Sequence, residues 1–125
     1  MWINYNPNPV ARMVDDCAVR AISKALDTDW EQAHILLDIN AINMGDMPHA
    51  NSVWGSVLRQ NGFYKKAIPD TCPDCYTAAE FCKDNPTGVY VLSCNGHVMT
   101  VVDGNIYDAW DSSLCIPQYY WYRKV

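Results

Sequence analysis

The dipeptide Asp103-Gly104 limits what this chain can fold into more than any other feature. It separates two runs of alternating character, Gly96-His97-Val98-Met99-Thr100-Val101-Val102 and Asn105-Ile106-Tyr107-Asp108-Ala109-Trp110. Asp-Gly between such runs signals a two-residue hairpin turn, because the turn needs positive φ at both central positions and these residue types tolerate it. A two-residue turn sets the register: Val102 faces Asn105, Met99 faces Asp108, and His97 faces Trp110. Side chains alternate along a strand. His97, Met99, Asp108 and Trp110 therefore share one face, with Asp108 diagonal to His97. A three-residue turn would bring Asp111 to that face instead, which makes Asp111 the reserve carboxylate.

The hairpin belongs to the second half of the chain, where the apolar period is two. Gly88 to Cys94 reads as a strand before it and Ile116 to Tyr122 as an aromatic-rich strand after it. The first half has a helical period. A helix starts near Asp16, which can cap it, and carries Val19, Ile22, Ala25 and Leu26 toward a core. Thr28-Asp29-Trp30-Glu31 has the pattern of a capping box. It opens a helix through Ile35, Leu36 and Ile39 that ends before Gly45. A third helix covers about 52 to 61, with Gly62 as its stop. Residues 63 to 76 read as a loop or a short extended piece. Thr77-Ala78-Ala79-Glu80 is a second capping box, and its helix ends before Asn85-Pro86. Residues 1 to 14, with Asn-Pro-Asn-Pro, read as extended chain that runs across a surface or lines a cleft.

Helices followed by strands imply an α+β domain, with N-terminal helices packed on one side of a small antiparallel sheet. At 125 residues the chain suits one domain, 1–125. A domain of this size buries roughly two thirds of its unfolded surface, so folding needs neither metal nor disulfide. The nine Lys and Arg are scattered and the net charge is −5, which argues against nucleic acid as a partner. No apolar stretch approaches the ~18–20 residues of a membrane span. Met1 to Val10 lacks the basic flank and apolar centre of a signal peptide. The expectation is a cytoplasmic protein with mostly reduced thiols. Its oligomeric state stays open.

Cys17 is the remaining chemical part. Asp15-Asp16-Cys17-Ala18-Val19-Arg20-Ala21-Ile22 places it in the first turn of a helix. Uncapped N–H groups and the positive end of the helix dipole favour a thiolate there, whereas Asp15 and Asp16 oppose it. A thiol opening a helix, followed by an imidazole and a carboxylate on one hairpin, is the order of parts used in cysteine nucleophilic catalysis. A carboxylate beside His97 would hold the imidazole tautomer and stabilise its cation.

This order of parts resembles the papain-like cysteine peptidase superfamily. Gly96-His97-Val98 and Asp108-Ala109-Trp110 match the segments where papain-like enzymes carry the histidine and an Asn-Ser-Trp step. An Asp in third position is similar to the double-glycine bacteriocin-processing peptidases. The phrases GHVMTVVDGNIYDAWDSS, DDCAVRAISKAL and TCPDCYTAAEF also resemble small papain-like proteins of Firmicutes and their phages. The resemblance implies Cys17 as nucleophile, His97 as general base and acid, Asp108 as the orienting residue, and Trp110 as the ring that shields the His–carboxylate bond. It implies hydrolysis of a peptide or isopeptide bond in a peptide or protein substrate, without cofactor or metal, inside a bacterial host cell. One piece is missing: these families place a Gln shortly before the Cys to help form the oxyanion hole, and residues 10 to 16 contain none. Asn6 or Asn8 would serve if the extended segment folds back. Without a second donor, the alternative is a papain-like fold with weak or no turnover, acting as a phage-encoded protein-binding or inhibitory module.

Five further cysteines, Cys72, Cys75, Cys82, Cys94 and Cys115, need an account. Cys72-Pro73-Asp74-Cys75 with Cys82 and Cys94 would complete a four-thiolate zinc site, but a second CxxC is lacking. A loop whose cysteines fill space is the simpler reading. His34 and His49 read as structural or solvated. The run Tyr119-Tyr120-Trp121-Tyr122 reads as strand core plus surface.

Overall fold

A computed structural model describes residues 1–123. The elements are β1 (Trp2–Asn4), α1 (Cys17–Ala25), α2 (Trp30–Met44), α3 (Asn51–Gln60), β2 (Phe63–Ala67), α4 (Ala78–Asp84), β3 (Val89–Cys94), β4 (His97–Val102), β5 (Asn105–Asp108) and β6 (Tyr119–Arg123). The six strands form one sheet in the order β1-β5-β4-β3-β6-β2. The protein is thus mixed α+β. Among the described residues, no helix is long and apolar enough to cross a membrane.

The hairpin register is the expected one next to the turn. The strand expected to reach Trp110 ends at Asp108 and the ladder ends at Thr100–Tyr107, so the expected Met99–Asp108 and His97–Trp110 pairs are not part of it. Val102 pairs with Asn105 and Val101 with Ile106. Asp103 and Gly104 both have positive φ, 49° and 77°, as a tight two-residue turn requires. A second two-residue turn, Asn95-Gly96, joins β3 to β4 and pairs Cys94 with His97. His97 is thereby the first residue of its strand.

The sheet is not purely antiparallel. β1 lies parallel to β5, with Asn4 beside Asp108, so part of the extended N-terminus is an edge strand. β2 pairs with β6 along its whole length. The last strand begins at Tyr119 rather than Ile116. Pro117 lacks the N–H that a ladder position needs, and the Gln118 N–H instead reaches the Ser93 carbonyl at 2.8 Å.

Alternation along β3 and β4 divides the interior in two. Val91, Val98 and Trp121 join Ile22, Leu37, Val53, Trp54, Val57 and Leu58 beneath α1–α3. Leu92, Met99, Val101 and Ile106 pack with Phe81 and Ala78 of α4 on the opposite face. Full burial of each large apolar side chain contributes about 1.5–3 kcal/mol before chain entropy is counted. α1 lies against β4, and the Thr100 hydroxyl donates to the Ala21 carbonyl at 2.7 Å. That bond ties the helix that carries Cys17 to the strand that carries His97.

Thr77 caps α4 as expected, accepting from the Glu80 N–H at 3.3 Å. The cap of α2 is shifted by one residue. Asp29, not Thr28, accepts from the Gln32 N–H at 2.8 Å. Thr28 is held at the end of α1, its N–H on the Ser23 carbonyl and its carbonyl accepting from the Ser23 hydroxyl. α2 buries its small face, Ala33, Leu37 and Ala41, and leaves Ile35, Leu36, Ile39 and Ile42 exposed.

Candidate active site

α1 begins at Cys17, and Asp16 occupies its N-cap position without making a side-chain cap. The Asp16 carboxylate is engaged elsewhere. It accepts from a terminal guanidinium nitrogen of Arg20, and its other oxygen accepts from the Trp30 Nε1–H at 2.8 Å. The first-turn N–H groups of α1, which have no partner within the helix, are therefore left without an Asp16 cap. The Asp16 charge is paired with Arg20.

Cys17 and His97 both line a cleft of about 620 Å³, whose walls include Val19, Trp30, His34, His49, Trp54 and Val98. Cys17 lies near enough to the His97 ring to favour its cation. His97 Nε2 is 2.7 Å from Asp108 Oδ2, which leaves Nδ1 for the thiol. Asp108 is completely buried and surrounded by donors. Ser112 Oγ–H donates to Oδ2 at 2.6 Å, the Ala109 N–H to Oδ1 at 2.8 Å, and Arg20 Nε to Oδ1 at 3.0 Å. The backbone carbonyl of Asp108 accepts from the Trp2 indole and from the Tyr5 N–H. The N-terminal strand thus clamps the carboxylate-bearing residue from outside.

The electrostatics follow from this arrangement. Burial alone would push the Asp108 carboxyl up, but the bonds from His97 and Ser112, and the charges of His97 and Arg20, hold it below the usual carboxylate range. For His97, burial opposes the cation, yet the hydrogen bond to Asp108 and the nearby Cys17 outweigh that opposition and raise it to about 9. The charges of Asp108 and Cys17 add to that favour for the imidazolium.

The structure brings Cys17, His97 and Asp108 together, and Trp110 with them, its ring centroid 4.7 Å from that of His97. Asp111 is exposed and its carboxylate accepts from the Ser113 N–H. Asn6 and Asn8 lie outside the cleft walls. The Asn6 amide donates to the Arg12 carbonyl and accepts from the Asn8 N–H, and the Asn8 side chain turns back to the Val10 N–H. Among the described residues, the side-chain amide lining the cleft is that of Asn51, whose oxygen accepts from the Trp54 Nε1–H at 3.1 Å. His34 and His49 also line the cleft.

Cys72 and Cys75 are joined as a disulfide, so the reduced CxxC expected from composition is not what the structure holds. Local turns at Asp70 and Thr71 close that loop, with the Cys72 N–H on Asp70 and the Tyr76 N–H on Thr71. Among the described residues, no group of three or more His, Cys, Asp or Glu is placed to hold a metal ion.

Arg20, Ser112 and Trp2 were not singled out by sequence reasoning. Arg20 sits at i+4 from Asp16 on a helix whose other inward positions, Ala18, Ala21, Ile22, Ser23 and Ala25, are uncharged. A cation on a buried helical face is a signal that a carboxylate waits across the interface. Comparison with protein-family models, with curated proteins and with solved structures finds no match to this chain.

Proposed function

We propose that this protein is a thiol hydrolase of papain-like organisation that cleaves a peptide or isopeptide bond. The observation that carries the reading is the hydrogen bond from His97 to the buried Asp108, with Cys17 and His97 lining one cleft. The Cys17 sulfur, as thiolate, attacks the amide carbon. The uncapped N–H groups of the first turn of α1 face the developing oxyanion. The His97 imidazolium gives its proton to the leaving amine, and the acyl group remains on sulfur as a thioester. His97, now neutral, takes a proton from water, hydroxide adds to the thioester, and the acid leaves as the thiol is restored. Asp108 keeps Nε2 of His97 in place and favours its cation throughout. A peptide or protein is the partner of this chemistry, which needs no cofactor.

A second reading rests on the absence of a glutamine from the cleft walls among the described residues. With a weak oxyanion hole, the same frame would bind a protein without turning it over.

The test is the pH dependence of Cys17 alkylation, followed by mass spectrometry, in the wild type and in His97→Ala. A Cys17 that reacts rapidly well below pH 8 and loses this in the variant supports the hydrolase. A Cys17 that reacts like an ordinary thiol and is indifferent to His97 leaves only the binding module.

A further inference from the structure

Arg20 is 5% exposed and lies one helical turn beyond Cys17. Its guanidinium spans two carboxylates from different parts of the chain. A terminal nitrogen binds Asp16 Oδ1, while Nε and the other terminal nitrogen each lie 3.0 Å from Asp108 Oδ1. His97 holds the other oxygen, Oδ2. One carboxylate is thus shared between two cations, and one of those cations is anchored to the helix that carries the nucleophile.

We propose that Arg20 is a charge-balancing positioning residue: it pins the Cys17 helix to Asp108 and, by sharing that carboxylate, keeps the His97 proton available for transfer. The proposal rests on the hydrolase reading and adds a part to it. An imidazole paired with Asp108, with the charge of Asp16 behind it and no Arg20, would hold its proton too tightly to give it to a leaving amine. The groups that bear on His97 are Cys17 from α1, Asp108 from β5 and Cys94 opposite it on β3, with Asp16 and Arg20 behind Asp108. Burial keeps the Cys94 thiol neutral, pushed up to about 12. Among the groups behind Asp108, Asp16 and Arg20 therefore set the local charge, and removing either one changes it by a unit in opposite directions.

The experiment is an NMR titration of the His97 ring in the full chain, with the other two histidines assigned by substitution. Four forms are compared: wild type, Arg20→Met, Asp16→Asn, and Asp16→Asn with Arg20→Met. Arg20→Met raises the His97 midpoint by about one unit, and Asp16→Asn lowers it by a similar amount. The double variant, which restores the net charge, returns close to wild type. A merely structural role gives the opposite sign for Arg20→Met, because a loosened Asp108 releases His97 toward 6.5. That fall, or an unchanged midpoint in a folded variant, overturns the proposal. If Arg20→Met does not fold, Asp16→Asn decides: an unmoved midpoint overturns the proposal and a lowered one supports it. A wild-type midpoint near 6.5 is a different failure, that of the Cys17–His97–Asp108 reading itself.

Discussion

His97 Nε2 and Asp108 Oδ2 are 2.7 Å apart, and the carboxylate they share is inaccessible to solvent. In water such a pair would be screened. Here it is enclosed by Ser112, Arg20 and the β1 strand, so solvent screens it little, and Arg20 shares the carboxylate with the imidazole. Asp108→Asn removes the charge but keeps the shape. The amide cannot satisfy Arg20, Ala109 and His97 together, and it leaves a buried guanidinium short of a partner. The expected loss is about 3 kcal/mol of stability, the usual range for breaking one side of a buried pair. Cys17 alkylation at pH 7 should fall at least about tenfold, the equivalent of one unit of His97 affinity. Chemical denaturation and timed alkylation measure the two effects separately.

Stability should depend on pH through His97. Its folded value, about 9, lies above the 6.5 of an unfolded histidine. The folded state therefore binds the extra proton, and its stabilisation is fully present below about pH 6.5. It is lost as pH rises through about 9. A shift of this size corresponds to about 3 kcal/mol across the window. Urea unfolding at pH 6, 7.5 and 9.5 should show the decline in wild type, and a much flatter line in His97→Gln. A wild-type profile as flat as the variant's would remove the basis for an imidazolium at this site.

The four free thiols should separate cleanly by reactivity. Cys94 is pushed up to about 12 by burial and by its neighbour Cys115, and burial also raises Cys82 and Cys115. Cys17 lines the cleft beside His97. Limiting iodoacetamide at pH 7 should therefore modify Cys17 first, with Cys94 the last to react, as read by peptide mapping. Equal labelling of Cys17 and Cys115 would contradict this order.

The hairpin register was legible because Asp103-Gly104 admits few turn geometries, and that register placed Asp108 beside His97. The helix start at Cys17 was legible from the change of pattern after Asp16. What escaped notice depends on pairing over long sequence distance. Nothing in Trp2-Ile3-Asn4 announces that it will lie parallel to Asn105–Asp108, because a three-residue edge strand has too little pattern to read. Arg20 looked like an ordinary helical cation until Asp108, 88 residues away, came under it. The Asn95-Gly96 turn carries the same kind of signal as Asp103-Gly104 and makes His97 the first residue of its strand, in keeping with the strand read from 97 to 102. The shift of the α2 cap from Thr28 to Asp29 reflects competition: Ser23 had already engaged Thr28.

Trp110 offers a test that separates catalysis from folding. Its ring lies 4.7 Å from the His97 ring at 38°, yet the residue is 45% exposed. A half-exposed aromatic contributes little to the core, so Trp110→Ala should cost no more than about 1 kcal/mol. The same ring covers one side of the imidazole. Without it, water reaches the His97–Asp108 bond, the local dielectric rises, and the carboxylate's hold on the imidazolium weakens. The expected result is a His97 midpoint moved down toward 6.5 and a Cys17 alkylation rate at neutral pH reduced several-fold, with the melting temperature nearly unchanged. Trp110→Phe keeps a flat apolar cover and should restore most of the rate. If Trp110→Ala lowers stability by several kcal/mol while leaving the His97 titration in place, the ring is a packing element and the shielding role is wrong.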